Sequence, residues 1–264
     1  MDWLQTLLIA LIQGLTEFLP VSSQAHLVLY SWVTDGVYQG LDFDIVLHAG
    51  SLLAVVVYFR AEVHAMARSW LGSLAGRGAD ADSRLAWWII IATLPAVVFG
   101  FLFKDLAEEG LRAIWIMAAA LILFGLLLGW ADWRGRRALD EYQLGLKAVL
   151  VIGFAQVLAL IPGTSRSGIT ITAALFMGLN REAASRFSFL LSIPVIAGAT
   201  VLGLDDLLAA GRATPWGLLM LGFLVSAVST YACIHYFLAF IRRIGMQPFV
   251  IYRVVLGLML IATL

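Results

Sequence analysis

The chain has 264 residues, 62% of them hydrophobic and 13% charged, with 17 basic and 17 acidic side chains balancing to a formal net charge of zero. An ordinary soluble domain carries about 25% charged residues, so the composition excludes that class, and the neutral balance argues against nucleic acid as a partner. The single Cys233 excludes an intrachain disulfide and a cysteine-based metal cluster, and is expected to fill space in a helix core.

Apolar stretches fall near 3–19, 45–59, 85–103, 113–130, 147–161, 187–204, 216–240 and 248–264. Crossing a hydrocarbon core of ~30 Å takes about 20 apolar residues in a helix, and the short alternating segments of a membrane β-barrel do not occur. The expected class is therefore all-α: a polytopic membrane protein forming one membrane domain over 1–264. The opening "MDWLQTLLIALIQG" has no basic n-region and no A-x-A site, so it is expected to belong to the fold.

Two stretches run into proline–hydroxyl clusters. The first meets "LPVSSQAH" (19–26) and continues as a short apolar piece at 27–33; the fifth meets "IPGTSRSG" (161–168) and continues at 169–179. Neither pair is long enough for two crossings, so each reads as a helix–break–helix that enters the membrane and turns back. Broken backbone at that depth survives only when buried in protein or lining a wet cavity. This predicts six full spans and two re-entrant hairpins.

Basic residues concentrate in the loops at 60–84 (Arg60, Arg68, Arg77, Arg84), 131–147 (Arg134, Arg136, Arg137, Lys147), 180–186 (Arg181, Arg186) and 241–247 (Arg242, Arg243). The intervening loops hold only Lys104, Arg112 and Arg212. The positive-inside rule assigns the first group to the cytoplasm, and the assignment alternates correctly only if both broken segments are re-entrant. Each half then holds one hairpin and three spans, so repeats of about 1–130 and 140–264 are expected to be inverted. "QGLTEFLPVSS" (13–23) echoes "QVLALIPGTS" (156–165), and "IATLPAVVFG" (91–100) echoes "LLSIPVIAGA" (190–199). Inverted repeats with broken helices place their site near the midplane, where the breaks meet.

The second break offers an anion cradle. Gly163 and Gly168 permit backbone shapes closed to other residues, and Thr164, Ser165 and Ser167 bring hydroxyls to a helix N-terminus, where free N–H groups favour anions. Arg166 adds a planar fork suited to phosphate oxygens. The first break supplies Glu17, Ser22, Ser23 and His26, with Gln13 one turn before Glu17. A carboxylate, a hydroxyl and an imidazole suit nucleophilic or metal-assisted displacement. Facing an anion cradle, they suggest phosphoryl chemistry on a lipid.

Other polar residues read more blandly. Asp42, Asp44 and His48 stand at the outer end of a span, where solvation is the default and lining an entrance the alternative. His235, near Ser229 and Thr230, is expected to hydrogen-bond between helices. Arg253 lies close to the inner boundary and is expected to snorkel, while Trp70, Trp130, Trp133 and Trp216 are expected as interfacial anchors.

The pairing of "QGLTEFLPVSSQAH" with "LIPGTSRSG" resembles the bacterial undecaprenyl pyrophosphate phosphatase, or bacitracin-resistance, family. The likeness extends through "GSLLAVVVYFR" (50–60) and "RFSFLLSIPVIAGA" (186–199). The resemblance implies hydrolysis of undecaprenyl diphosphate to the monophosphate carrier lipid of peptidoglycan synthesis. It also implies a divalent cation, Mg²⁺ or Ca²⁺, and a multi-pass protein of the bacterial inner membrane with its site toward the periplasm. The implied metal positions are Glu17 and Gln13, from the family's [E/Q]xxxE motif; the serine pair is Ser22 and Ser23, the histidine His26, and the phosphate-binding pair Ser165 and Arg166. Polyprenyl diphosphate and membrane lipids are the expected partners, with a homodimer as a further expectation.

The chain departs from the family pattern at "SSQAH", where Gln24 and Ala25 replace a threonine and a glycine, and at His48, where a glutamine is common. Mechanistically, Ser23 is expected to attack the terminal phosphorus with His26 as its base; a nucleophilic His26 and a metal-activated water stay open. A secondary transporter or lipid flippase shares the broken-helix architecture. An acid-phosphatase SR-x5-H motif fails, because Thr172 occupies the histidine position.

Overall fold

A computed structural model describes residues 2–34, 41–103, 113–135, 138–209 and 216–262, apart from the side chains of 41, 42 and 204–209. The Asp42 side chain and Lys104, Arg112, Arg136, Arg137 and Arg212 thus lie outside the described residues. The described residues are helical throughout their regular structure, in eleven α-helices: α1 (Trp3–Thr16), α2 (Ser23–Val33), α3 (Leu41–Tyr58), α4 (Arg60–Leu74), α5 (Ala81–Leu102), α6 (Ile114–Arg134), α7 (Leu146–Val157), α8 (Arg166–Phe176), α9 (Arg181–Ala209), α10 (Trp216–Ile244) and α11 (Gln247–Ala262).

Four helices, α5, α6, α9 and α10, are long and apolar enough to cross a membrane, and α3 with α4 passes the same test as a pair bent by 81°. Helix α4 occupies much of the stretch that the charge pattern marks as a loop. Its charged residues share the strand of sequence with apolar ones at helical spacing: Met66 is buried and Trp70 meets Trp87 of α5 edge-on at 5.7 Å. Arg60 and Arg68, two of the four charges that mark the stretch as polar, therefore belong to the outer face of an amphipathic helix, while Arg77 and Arg84 follow it.

Both proline–hydroxyl clusters break the chain. Helix α1 ends at Thr16 and α2 begins at Ser23; α7 ends through a 3₁₀ turn at Leu158–Leu160 and α8 begins at Arg166. The two restarted helices have 11 residues each. Immediately before them stand Ser22 (φ 72°) and Ser165 (φ 67°), the non-glycine residues with positive φ among the described residues. Such backbone costs about 1–3 kcal/mol per residue and persists only where the surroundings over-determine it. Gly163 also has positive φ, and a Cβ there would lie 2.3 Å from the Met117 carbonyl oxygen. Gly168, in contrast, is an ordinary residue of α8, and Ala25 is an ordinary residue of α2.

The helices that lead into the breaks pack against helices distant in sequence. Helix α1 packs along α10, α7 packs along α5, and α6 packs against α11. Close approach is built in on both sides: a Cβ on Gly14 of α1 would sit 1.9 Å from Ser229 Oγ, and one on Gly153 of α7 would sit 2.8 Å from the Ala92 carbonyl oxygen. Small residues serve this purpose where apolar burial gives helices no preference for each other over lipid. The echo of 91–100 and 190–199 does not fit this order, because Pro95 lies in α5 and Pro194 in α9. Helix α9 follows α8 as α3 follows α2, so the two prolines occupy different places in their halves.

The four basic segments meet at one end of the bundle. Arg181 forks onto both oxygens of Asp132 at the end of α6. Arg186 bridges Glu141, at 2.6 Å, to Glu62 of α4, at 3.0 Å. Arg242 pairs with Glu182 at the surface, where such a pair contributes little.

Two expectations change on contact with the packing, and a third holds. Arg253 does not snorkel: it is completely buried. His235 is exposed beside the rings of Tyr58 and Tyr236, and α3 and α10 are joined instead by Ser51, whose Oγ lies 3.1 and 3.0 Å from the hydroxyls of Ser226 and Thr230, and by Ser226, which donates to the Leu47 carbonyl at 2.7 Å. Cys233 is buried as expected, with its Sγ 3.2 Å from the Leu15 carbonyl oxygen.

Candidate active site

The two breaks meet. Arg166, the first residue of α8, donates from Nη2 to Glu17 Oε1 at 2.8 Å, and its guanidinium lies 5.5 Å from the centre of the Phe18 ring. Ser167 donates to the Leu19 carbonyl at 2.9 Å, so a side chain of one break caps the backbone of the other. Both charged partners are largely enclosed, with side-chain exposures of 13% for Arg166 and 8% for Glu17.

Glu17 is the hub. It follows the last turn of α1, which puts Gln13 one turn below it, and Gln13 Nε2 donates to Oε2 at 3.0 Å. Ser23, the first residue of α2, donates to the same oxygen at 2.7 Å. His48 of α3 brings its Nε2 to 3.5 Å from that oxygen. One carboxylate thus gathers residues from α1, α2, α3 and α8.

His26 stands one turn along α2, but the hydrogen bonds of its ring go elsewhere. Its Nδ1 lies 2.7 Å from the Ser22 carbonyl, which can only accept, and its Nε2 lies 2.6 Å from the Tyr252 hydroxyl. In the neutral ring, Nδ1 therefore donates to Ser22 and Nε2 accepts from Tyr252. The structure pairs Ser23 with Glu17, where the residue order suggests His26 as its base.

In the second break, Ser165 Oγ accepts from the Gly168 N–H and lies 3.2 Å from Ser167 Oγ. Thr164 is fully buried and its hydroxyl has no hydrogen-bond partner. Thr170, one turn on, reaches Ser188 of α9 at 2.7 Å and braces α8 from behind.

Beneath both breaks lies Arg253 of α11. Its Nη1 donates to the Pro20 carbonyl at 3.3 Å, and its Nη2 to those of Gly163 and Thr164 at 3.0 and 2.8 Å. Further bonds reach Ala120 and Leu121 of α6. One guanidinium thereby satisfies carbonyls that each break releases from its helix, an obligation that lipid cannot meet. A formal charge inside an apolar span was the available signal for this residue; Tyr252 and Ser188 carried none.

The sequence matches the family model described as bacitracin resistance protein BacA over residues 6–259. The chain belongs to the BacA family. The match takes in both breaks and every residue gathered at Glu17. The two substituted positions in "SSQAH" differ in burial. Gln24 is exposed, whereas Ala25 is completely buried against Met117, Ala118, Leu121, Leu256 and Leu260. Because Ala25 is helical and the left-handed residue is Ser22, alanine suits the position.

A divalent cation is expected from the sequence resemblance, and Gln13 and Glu17 are the residues expected to hold it. Gln13 Oε1 is buried without a hydrogen-bond partner, one turn from the Glu17 carboxylate. Carboxylate and amide oxygens suit a hard cation. No group of three or more His, Cys, Asp or Glu side chains poised for a metal occurs among the described residues. The residues fit an ion that shares its coordination with phosphate oxygens and water, rather than one held in a protein cage.

Proposed function

We propose that this BacA-family protein hydrolyses undecaprenyl diphosphate to undecaprenyl phosphate and inorganic phosphate, using one site formed by the two breaks. The observation that carries this reading is the Glu17–Arg166 pair with Ser23 on the same carboxylate, buried where apolar helices would otherwise meet lipid. The 11-residue helices after both breaks, their left-handed serines and the crossed packing support an inverted repeat, with six spans and two re-entrant hairpins. The gathering of the basic segments supports a cytoplasmic end there and a site opening toward the periplasm of the inner membrane.

In this mechanism Arg166, with Ser165, Thr164, Ser167 and Ser22, receives the diphosphate oxygens at the start of α8. Ser23 Oγ attacks the terminal phosphorus, the bond to the bridging oxygen breaks, and the lipid monophosphate leaves with that bond's electron pair. The Oγ proton passes to Glu17 Oε2, 2.7 Å away. A carboxylate that also faces a cation is a weak base, but the loose transition state of phosphoryl transfer demands little deprotonation of its nucleophile. Water then attacks the phosphoserine and restores Ser23. His26, held by Ser22 and backed by Tyr252, fixes the start of α2 and so the position of Ser23. Glu17 and Gln13 would hold Mg²⁺ or Ca²⁺, which would supply charge neutralisation beyond one arginine.

The test is phosphate release from polyprenyl diphosphates in detergent, with and without EDTA. The wild type releases phosphate and Arg166→Ala does not; near-normal turnover by Arg166→Ala overturns the reading.

A further inference from the structure

His48 has no part in the mechanism above, yet it faces the hub of the site. Its Nδ1 lies 2.7 Å from the Asp44 carbonyl oxygen, one turn back on α3. A carbonyl only accepts, so Nδ1 carries the hydrogen and the neutral ring turns a bare Nε2 lone pair outward. Another acceptor, Glu17 Oε2, lies 3.5 Å from that nitrogen. Two acceptors this close repel unless something positive lies between them.

Arg166 cannot fill that place, because it is bound to the other carboxylate oxygen, Oε1. Gln13 reaches Oε2 through its N–H₂ while its own oxygen stays buried and unpartnered, and turning the amide over would present that oxygen on the same side. Two ligands of one ion, each about 2.1 Å from it, stand roughly 3.0–3.4 Å apart at angles between a right angle and tetrahedral. The observed separation of 3.5 Å lies just beyond the upper end of that span. A backbone carbonyl behind the imidazole is the usual outer support of a metal-binding histidine, fixing its tautomer and aim. The side chain is 35% exposed, which leaves the ion a wet approach.

We propose that His48 Nε2 is a ligand of the site's divalent cation, completing with Glu17 Oε2 and Gln13 Oε1 a mixed nitrogen–oxygen set. The inference rests on the phosphatase reading and deepens it by assigning the ion's class. A nitrogen ligand moves preference away from Mg²⁺ and Ca²⁺ toward the later first-row metals. The chain thereby exchanges one ligand chemistry for another: an amide where a second carboxylate could stand, and an imidazole in place of the more common glutamine.

The experiment uses the full-length protein in detergent with substoichiometric Mn²⁺ as the probe, read by electron spin-echo modulation from directly bound ¹⁴N. Wild type and His26→Gln show the imidazole modulation, and His48→Gln retains bound Mn²⁺ but loses it. Competition adds a second readout: Zn²⁺ displaces Mn²⁺ at least tenfold more readily from wild type than from His48→Gln, whereas Mg²⁺ displaces it less readily from wild type than from His48→Gln. Absence of bound Mn²⁺, absence of ¹⁴N modulation in wild type, or its persistence in His48→Gln overturns the proposal; any of these leaves an imidazolium–carboxylate pair only. Phosphate release is measured on the same preparations. Release intact in a wild type without the nitrogen signal refutes the His48 assignment alone, and absence of release refutes the phosphatase reading itself.

Discussion

Replacing Arg253 by methionine keeps much of the side chain's volume and removes its donors. The guanidinium binds three carbonyls in the breaks, those of Pro20, Gly163 and Thr164, and two more in α6. Hydrogen bonds to a charged donor are worth about 1.5–3 kcal/mol each, so the three break carbonyls alone represent on the order of 5–9 kcal/mol gross. The variant also escapes the desolvation cost of a buried charge, and removing one partner of such an arrangement nets about 3–5 kcal/mol. At roughly 2–4 °C per kcal/mol for a chain of this size, thermal unfolding in detergent, followed by tryptophan fluorescence, should fall by about 10 °C. Activity should fall further, because a shift of about 1 Å in a catalytic constellation can cost ~100-fold. Arg253→Lys, with one ammonium for three carbonyls, should lie between. A methionine variant unfolding within 2 °C of wild type (roughly 1 kcal/mol or less) with unchanged kcat/KM would refute the account of how the breaks are held.

Further outcomes follow from individual contacts. Gly168→Ala places a Cβ 2.6 Å from Arg253 Nη1, so it should push the guanidinium off the break carbonyls and lower kcat, measured as phosphate release, with the helix content unchanged by circular dichroism. Arg166→Lys keeps the charge but loses the fork, and should cost on the order of 100-fold in kcat/KM, against complete loss for Arg166→Ala. Outside the spans, Asp80 caps α5, and hydrogen bonding from the Ser83 backbone, then from the Ser83 and Ser69 hydroxyls, holds its carboxyl below the ordinary 3.8. The cap's contribution is therefore present above that value and is lost as the pH falls through the lower folded one. Melting curves of wild type should converge on those of Asp80→Asn in that acid window and diverge above it.

The two breaks were legible because proline and hydroxyl clusters stand out in apolar sequence, and Arg166 and Glu17 because charge in a span demands a partner. Within the breaks, besides on Gly163, left-handed backbone falls on Ser22 and Ser165, two residues past Pro20 and Gly163, since tertiary contacts rather than local preference impose it on a serine. Residue spacing put Ser23 and His26 on one helix, but a one-turn separation cannot say which of them reaches Glu17. The role of Arg253 and the partner of His26 depend on the rotation of α11 about its axis, which places Tyr252 and Arg253 against two different targets. Helix α4 was hidden because an amphipathic helix and a charged loop share a composition.

The most direct measurement is rapid acid quench of the enzyme turning over polyprenyl diphosphate labelled in its terminal phosphate. The account predicts an acid-stable label on the peptide carrying Ser23, abolished by Ser23→Ala and equally by Arg166→Ala from the opposite break. No label in wild type, an acid-labile label on His26, or an undiminished label in Arg166→Ala would contradict a single site built from the two breaks.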